Sequence, residues 1–145
     1  MNIPPEVQLK ATLRSGSVYY FIETTFASRE PHYFIVLNHH PATDDVLILV
    51  CSSSQKERVK RRRRDLPAAT LVEISQAEYK DFSTDASIVD CNYVVQKTVS
   101  QLLAKIEQRE LKFKSVMDSA LVDKLRNGVL ASPVVAEEIK KRYLR

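Results

Sequence analysis

His32-Tyr33-Phe34-Ile35-Val36-Leu37-Asn38 is apolar almost from end to end. A strand with one wet face alternates apolar and polar residues, so an unbroken run predicts a strand buried on both faces. Two runs of the same kind flank it. Ser17–Ile22 (SVYYFI) follows a turn at Leu13-Arg14-Ser15-Gly16, and Val46–Cys51 (VLILVC) follows the turn-forming His39–Asp45. Thr24–Pro31 reads as the loop between the first two strands. A parallel crossover needs about a dozen residues or more, so connections this short predict antiparallel pairing.

Reading outward, Ser52-Ser53-Ser54 and the basic stretch after it show no periodicity and read as a loop. Thr70–Ile74 is a fourth strand and Ser87–Gln96 a fifth. Between them Ser75-Gln76-Ala77-Glu78 matches a capping box. Several short strands with short links are the pattern of a small barrel or sandwich. Residues 1–12 read as an arm. After Lys97 the pattern turns helical. Thr98 and Gln101 form a second capping box, and Val99, Leu102, Leu103 and Ile106 share one helix face. Ser115 and Asp118 repeat the box, with Met117, Leu121 and Leu125 on a stripe and Gly128 as a helix stop. Ser132-Pro133 opens a last helix, with Val135, Ile139 and Tyr143 on one face. The expected fold is β-rich α+β in a single domain of 145 residues: a β-barrel body over 13–97 and a helical C-terminal extension over 98–145.

Composition narrows the function classes. No apolar run nears the ~20 residues of a membrane helix, and Met1–Pro5 lacks the basic-then-apolar pattern of a leader, so no membrane association is expected. Two glycines are too few for a dinucleotide or Walker loop. Cys51 and Cys91 stand apart, off zinc spacing, and read as buried thiols of a cytoplasmic protein. His39-His40 lie near Asp44 and Asp45, but adjacent side chains at a strand end point to opposite faces. A polar turn is the expectation there; no metal and no cofactor are expected.

Charge is the sharpest local feature. The stretch 56–64 (KERVKRRRR) holds seven basic residues and one acidic, a net +6. The whole chain is +4, so the remainder carries −2. Lys56, Arg58, Lys60, Arg61, Arg62, Arg63 and Arg64 are therefore candidate contacts to a polyanion, nucleic acid first. An acidic protein segment would use the same surface.

The body also resembles the MazF/PemK family of toxin–antitoxin toxins. The residues that carry the resemblance are Ser15-Gly16-Ser17-Val18-Tyr19, the run Pro31–Asn38, Val50-Cys51-Ser52-Ser53, and Ser87-Ile88-Val89-Asp90-Cys91-Asn92 ahead of the helix from Val99. It covers about residues 13–107. The resemblance implies an SH3-like barrel, often dimeric, that cleaves single-stranded RNA without a metal and is held by an acidic antitoxin protein. It places Ser52 and Ser53 at the family's hydroxyl pair near the scissile phosphate. It places His32 where the family has the arginine of an Arg-Pro pair. The family's Arg-Thr pair falls near Asn92 and Tyr93, and no arginine lies in 90–96.

Metal-independent cleavage uses the 2′-hydroxyl of RNA as nucleophile, and needs a base, an acid and donors for the phosphorane charge. Histidine titrates near pH 6.5 and serves as either acid or base, so His32 is the candidate. Arg29 would neutralise the phosphate, and Ser52, Ser53 and Ser54 would donate to it. Each has a plainer reading: a strand opener, a solvated arginine, a serine turn. Glu23, in a strand–loop corner, is a weaker candidate. Tyr19, Tyr20, Phe21, Tyr33 and Phe34 lie in strands, where core packing is the default. Two other classes stay open: a non-catalytic SH3-like module that binds nucleic acid or protein through the basic loop, and an accessory protein that binds a partner through its helical tail.

Overall fold

The computed structural model describes residues 3–145. Its elements in order are α1 (Pro5–Thr12), β1 (Ser17–Phe21), β2 (His32–Val36), β3 (Leu47–Ser53), α2 (Lys56–Arg62), β4 (Leu71–Ser75), β5 (Ala86–Asp90), β6 (Val95–Lys97), α3 (Val99–Glu107), β7 (Lys112–Val116), α4 (Ser119–Ala131) and a short α5 (Glu137–Ile139) that runs on into a wide turn over Lys140–Leu144. The seven strands form an antiparallel sheet in the order β4-β5-β3-β2-β1-β7, with β6 on β3. The sheet is open, with β4 at one end and β7 at the other.

The doubly buried strands are present as read. Val18, Ile35, Ile48 and Val50 face one core, while Tyr19, Phe34, Val36, Leu47 and Leu49 face another. The period-two alternation sends neighbours to opposite cores, and both cores are dry, which is why the sequence does not alternate. Val122, Leu125 and Val129 of α4 cover the first core. Leu9 of α1 and Leu102 of α3 cover the second, with Val99, Leu103 and Ile106 packed beside them. Two of the three expected capping boxes form: Thr98 with Gln101, and Ser75 with Glu78.

Several expectations are corrected. The arm is helical from Pro5, with proline at the helix start and Leu9 buried; Met1 and Asn2 lie outside the described residues. The basic loop is helix α2, because arginine and lysine are good helix formers and Val59 buries beneath them. The fifth strand breaks after Asp90, whose Oδ1 accepts the Asn92 backbone N–H at 3.0 Å and turns the chain. Ser115, expected to cap a helix, lies instead in strand β7 (Lys112–Val116), on the outer side of β1. Ser115 bonds Tyr79 and Asp81 instead of capping, and Asp118 caps α4. Gly128 lies inside α4, not at its end. A Cβ there would come within 2.8 Å of Cys91 Sγ, so the glycine permits close approach to the turn after β5. Ser132-Pro133 starts no helix: the Ser132 hydroxyl accepts the Val134 N–H at 3.2 Å and donates to Asn92, but the next helix begins only at Glu137.

The C-terminal segment is part of the core rather than a separate tail. Met117, Val135, Tyr143 and Leu144 are buried with Ile35 and Ile48. Among the described residues, no helix is long and apolar enough to cross a membrane.

Candidate functional site

β3 is the hinge of the sheet. Leu47–Leu49 pair with β6, whereas Ser52 and Ser53 pair with Val89 and Ile88 of β5. The strand therefore carries its serines from one sheet region into the next. Beside them opens a cleft of about 710 Å³. One wall is the loop after β1, at Phe26–Ser28 and Glu30–Pro31; another is α2 and its C-cap, with Arg58, Arg62 and Arg63. His32, Tyr20, Tyr33 and Tyr93 line it between the walls, and Ser83, Thr84 and Ser87 add hydroxyls.

His32 opens β2 and is half-buried, with the Phe26 ring edge-on at 5.6 Å. Its Nδ1 is buried without a partner among the described residues. Ser53 Oγ accepts the Gln55 N–H at 3.1 Å and so turns the chain into α2. Tyr20 and Tyr33 meet with their rings tilted by 45° and centroids 4.6 Å apart, Phe26 lies 6.0 Å from Tyr93, and Tyr93 is 47% exposed. Tyr19, Phe21 and Phe34 are core. The aromatic surface thus comes from four rings, two of which, Phe26 and Tyr93, lie outside the strands where the sequence showed its aromatic runs.

The basic residues divide into groups. Lys56 and Lys60 reach Glu73 on β4 at 3.0 and 2.8 Å. The hydrogen bond that the Lys60 ammonium donates to Glu73 raises its pKa above the ordinary value, and the two lysines lower Glu73. Arg63 Nε donates to Asp90 Oδ2 at 2.7 Å, with Arg62 3.9 Å from the same oxygen. Arg58 donates to Gln55 Oε1 at 3.2 Å and makes no ion pair among the described residues. Arg61 and Arg64 are exposed, make no ion pair among the described residues and do not line the cleft. The cleft thus receives three of the seven predicted basic residues.

The structure brings His32, Ser52 and Ser53 together with those arginines. Arg29 is not with them. It borders a neighbouring hollow of about 460 Å³ with Ile22, Glu23 and Thr24. Glu23 is 3% exposed and committed to structure: Lys97 Nζ lies 2.7 Å from Oε1 and the Thr25 hydroxyl donates to Oε2. Burial pushes its carboxyl up, but those two partners and the Lys105 charge outweigh it and hold it below the ordinary range. His39 meets the Leu144 carbonyl at 3.1 Å and docks the C-terminus. Cys51 lines the cleft with its thiol pushed up to about 12 by burial, which disfavours the thiolate.

Sequence reasoning missed Asp90 as the partner of α2. The signal was there: an aspartate ending an apolar strand needs a cation or donors if it is buried. Compared with known proteins, the chain matches no family model and no curated protein.

Proposed function

We propose that the cleft binds single-stranded RNA and that the chain is a MazF/PemK-like toxin of a toxin–antitoxin system, a metal-independent endoribonuclease. One observation carries the reading: His32, the Ser52-Ser53 pair and three arginines line a cleft together with four aromatic rings. Rings stack unpaired bases, and guanidinium groups take phosphates, a combination suited to single strands. The guanidinium absent from residues 90–96 is supplied from α2, since Arg62 and Arg63 meet Asp90. In this reading the substrate's 2′-oxygen attacks phosphorus and His32 takes the 2′-proton. The 5′-oxygen leaves with a proton from solvent, giving a 2′,3′-cyclic phosphate and a 5′-hydroxyl. Arg62, Arg63 and the serine hydroxyls carry the charge of the phosphorane. The bend of β3 between two sheet regions supports an SH3-like barrel as the frame. The exposed Arg61 and Arg64 suit an acidic antitoxin protein, and a homodimer in the cytoplasm completes the reading.

A second reading, a non-catalytic SH3-like module that binds nucleic acid, draws on one observation. Among the described residues no carboxylate or carbonyl orients the His32 ring through Nδ1, as a general base ordinarily requires. The deciding experiment is cleavage of a long mixed-sequence RNA with EDTA present, read by primer extension. Discrete cuts are expected from the wild type, no cuts from His32→Ala, and retained cuts from Arg29→Ala, which lies outside the cleft. Intact RNA that nonetheless binds, with affinity falling steeply as salt rises, would select the second reading.

A further inference from the structure

The buried polar groups of the C-terminal segment lead to the cleft. Lys140 Nζ donates to the Ser132 carbonyl at 2.5 Å. Ser132 Oγ donates to Asn92 Oδ1 at 2.7 Å. With its oxygen so engaged, the Asn92 amide turns its nitrogen to Thr70 Oγ1 at 2.8 Å and to Asp90 Oδ1 at 3.0 Å. The Asn92 backbone N–H reaches that same Asp90 oxygen at 3.0 Å. All five residues are at most 9% exposed. Asp90 Oδ1 is therefore occupied by two donors, and Oδ2 is left for α2. There Arg63 binds through Nε at 2.7 Å, and its two terminal nitrogens have no partner among the described residues. A guanidinium pinned at Nε presents a preset pair of donors, the geometry that grips a phosphate in two places.

We propose that the relay Ser132–Asn92–Asp90 positions Arg63 for a ligand phosphate, which makes Ser132 and Asn92 positioning residues of a cleft that neither of them lines. The proposal rests on the RNA reading of the cleft. Lose the Ser132 hydroxyl and the Asn92 amide is free to rotate. Asp90 Oδ1 then loses a donor, and the carboxylate no longer holds one orientation toward Arg63. The loss falls on the arginine's readiness, not on its presence.

The test uses the full chain and a short mixed-sequence 2′-O-methyl RNA, which lacks the free 2′-hydroxyl and so cannot be cut. Binding is followed by fluorescence anisotropy across a salt series, and the Arg63 Nε–H is followed by NMR, assigned by its absence in Arg63→Lys. Ser132→Ala is expected to weaken binding about threefold to tenfold, the worth of one hydrogen bond. Its log-affinity against log-salt slope is expected to flatten by about 0.7, one phosphate contact on a single strand. The Arg63 Nε–H is expected to shift and exchange faster. Leu121→Ala, which thins the same core away from the relay, is expected to lower stability and leave affinity, slope and the NMR signal alone. Asn92→Leu, similar in volume, is expected to repeat the effect of Ser132→Ala. Wild-type affinity, slope and signal in Ser132→Ala would overturn the proposal, as would equal effects from Leu121→Ala. If the wild type itself ignores the RNA, the RNA reading fails. An unmoved Nε–H in Ser132→Ala would then overturn the positioning contact on its own.

Discussion

The loop wall of the cleft hangs on Glu23, and the helix wall hangs on Asp90. Both carboxylates are buried, at 3% and 9% exposure, and both meet a cation at 2.7 Å. Their surroundings differ. Glu23 is closed in by Lys97, itself 11% exposed, and by Thr25, and the nearby Lys105 is spent on the Ile22 carbonyl. That pair faces inward and fastens the loop to β6. Asp90 is held on one oxygen by Asn92 and offers the other to arginines that line the cleft. A buried ion pair whose cation is also buried spends its charge on the fold. One whose cation stays half in solvent keeps charge for a ligand.

The comparison breaks most easily at the arginine. Arg63→Ala is expected to lower RNA cleavage about 10²- to 10³-fold, the usual cost of one transition-state donor. Cleavage kinetics with an unstructured RNA check it. Lys97→Ala should show the opposite division. Leaving Glu23 buried without its cation costs about 3 kcal/mol of stability by urea unfolding, while the cleavage rate of the folded fraction stays near wild type. Equal losses of rate in both variants would mean that the two walls are not distinct.

The strands that frame the cleft were legible in the sequence; the cleft's helix wall was not. An unbroken apolar run such as Phe34–Leu37 announces itself, because only a doubly covered strand tolerates it. The basic stretch carried one apolar residue, Val59, too few to show a helical period. Its helix depends on Glu73 and Asp90, which arrive from other strands. β7 escaped for the same reason. Lys-Phe-Lys-Ser-Val has no strand signal beyond Phe113 and Val116, and it becomes a strand because β1 offers an open edge. Gly128 read as a helix stop because the contact that needs it, Cys91, comes from another element. Of the site, His32, Ser52 and Ser53 were legible as residue types at strand ends. The Asp90 hub was not, because its meaning lies in pairings across the fold.

Acid sharpens the comparison further. The Glu23 carboxyl is held below the ordinary value of 4.5 in the folded chain. Its contribution is complete above that value and fades as pH falls through the lowered one, since the unfolded chain then binds the proton first. The Asp45 carboxyl, held down first by the Tyr143 hydroxyl and also by Arg142, follows the same sign from its ordinary 3.8. Stability is therefore expected to decline below about pH 4.5, and Glu23→Gln should flatten that decline. Urea midpoints across the acid range measure it, and an unchanged profile in Glu23→Gln would separate the loop wall from the acid transition.

The smallest expected effect comes from the third carboxylate near α2. Glu73 is exposed and holds Lys56 and Lys60, neither of which lines the cleft. Exposed pairs of this kind contribute little to stability, so Glu73→Gln should leave the melting temperature where it is. It does release two ammonium groups on the same helix as Arg58 and Arg62. If α2 is the polyanion face, RNA affinity should tighten by about twofold at low salt, and the gain should vanish as salt screens it. Gln at 73 with unchanged affinity at low salt would confine the binding charge to the arginines that face the cleft. Weaker affinity would mean that Glu73 holds α2 in place, and that the helix wall, like the loop wall, depends on a carboxylate spent on structure.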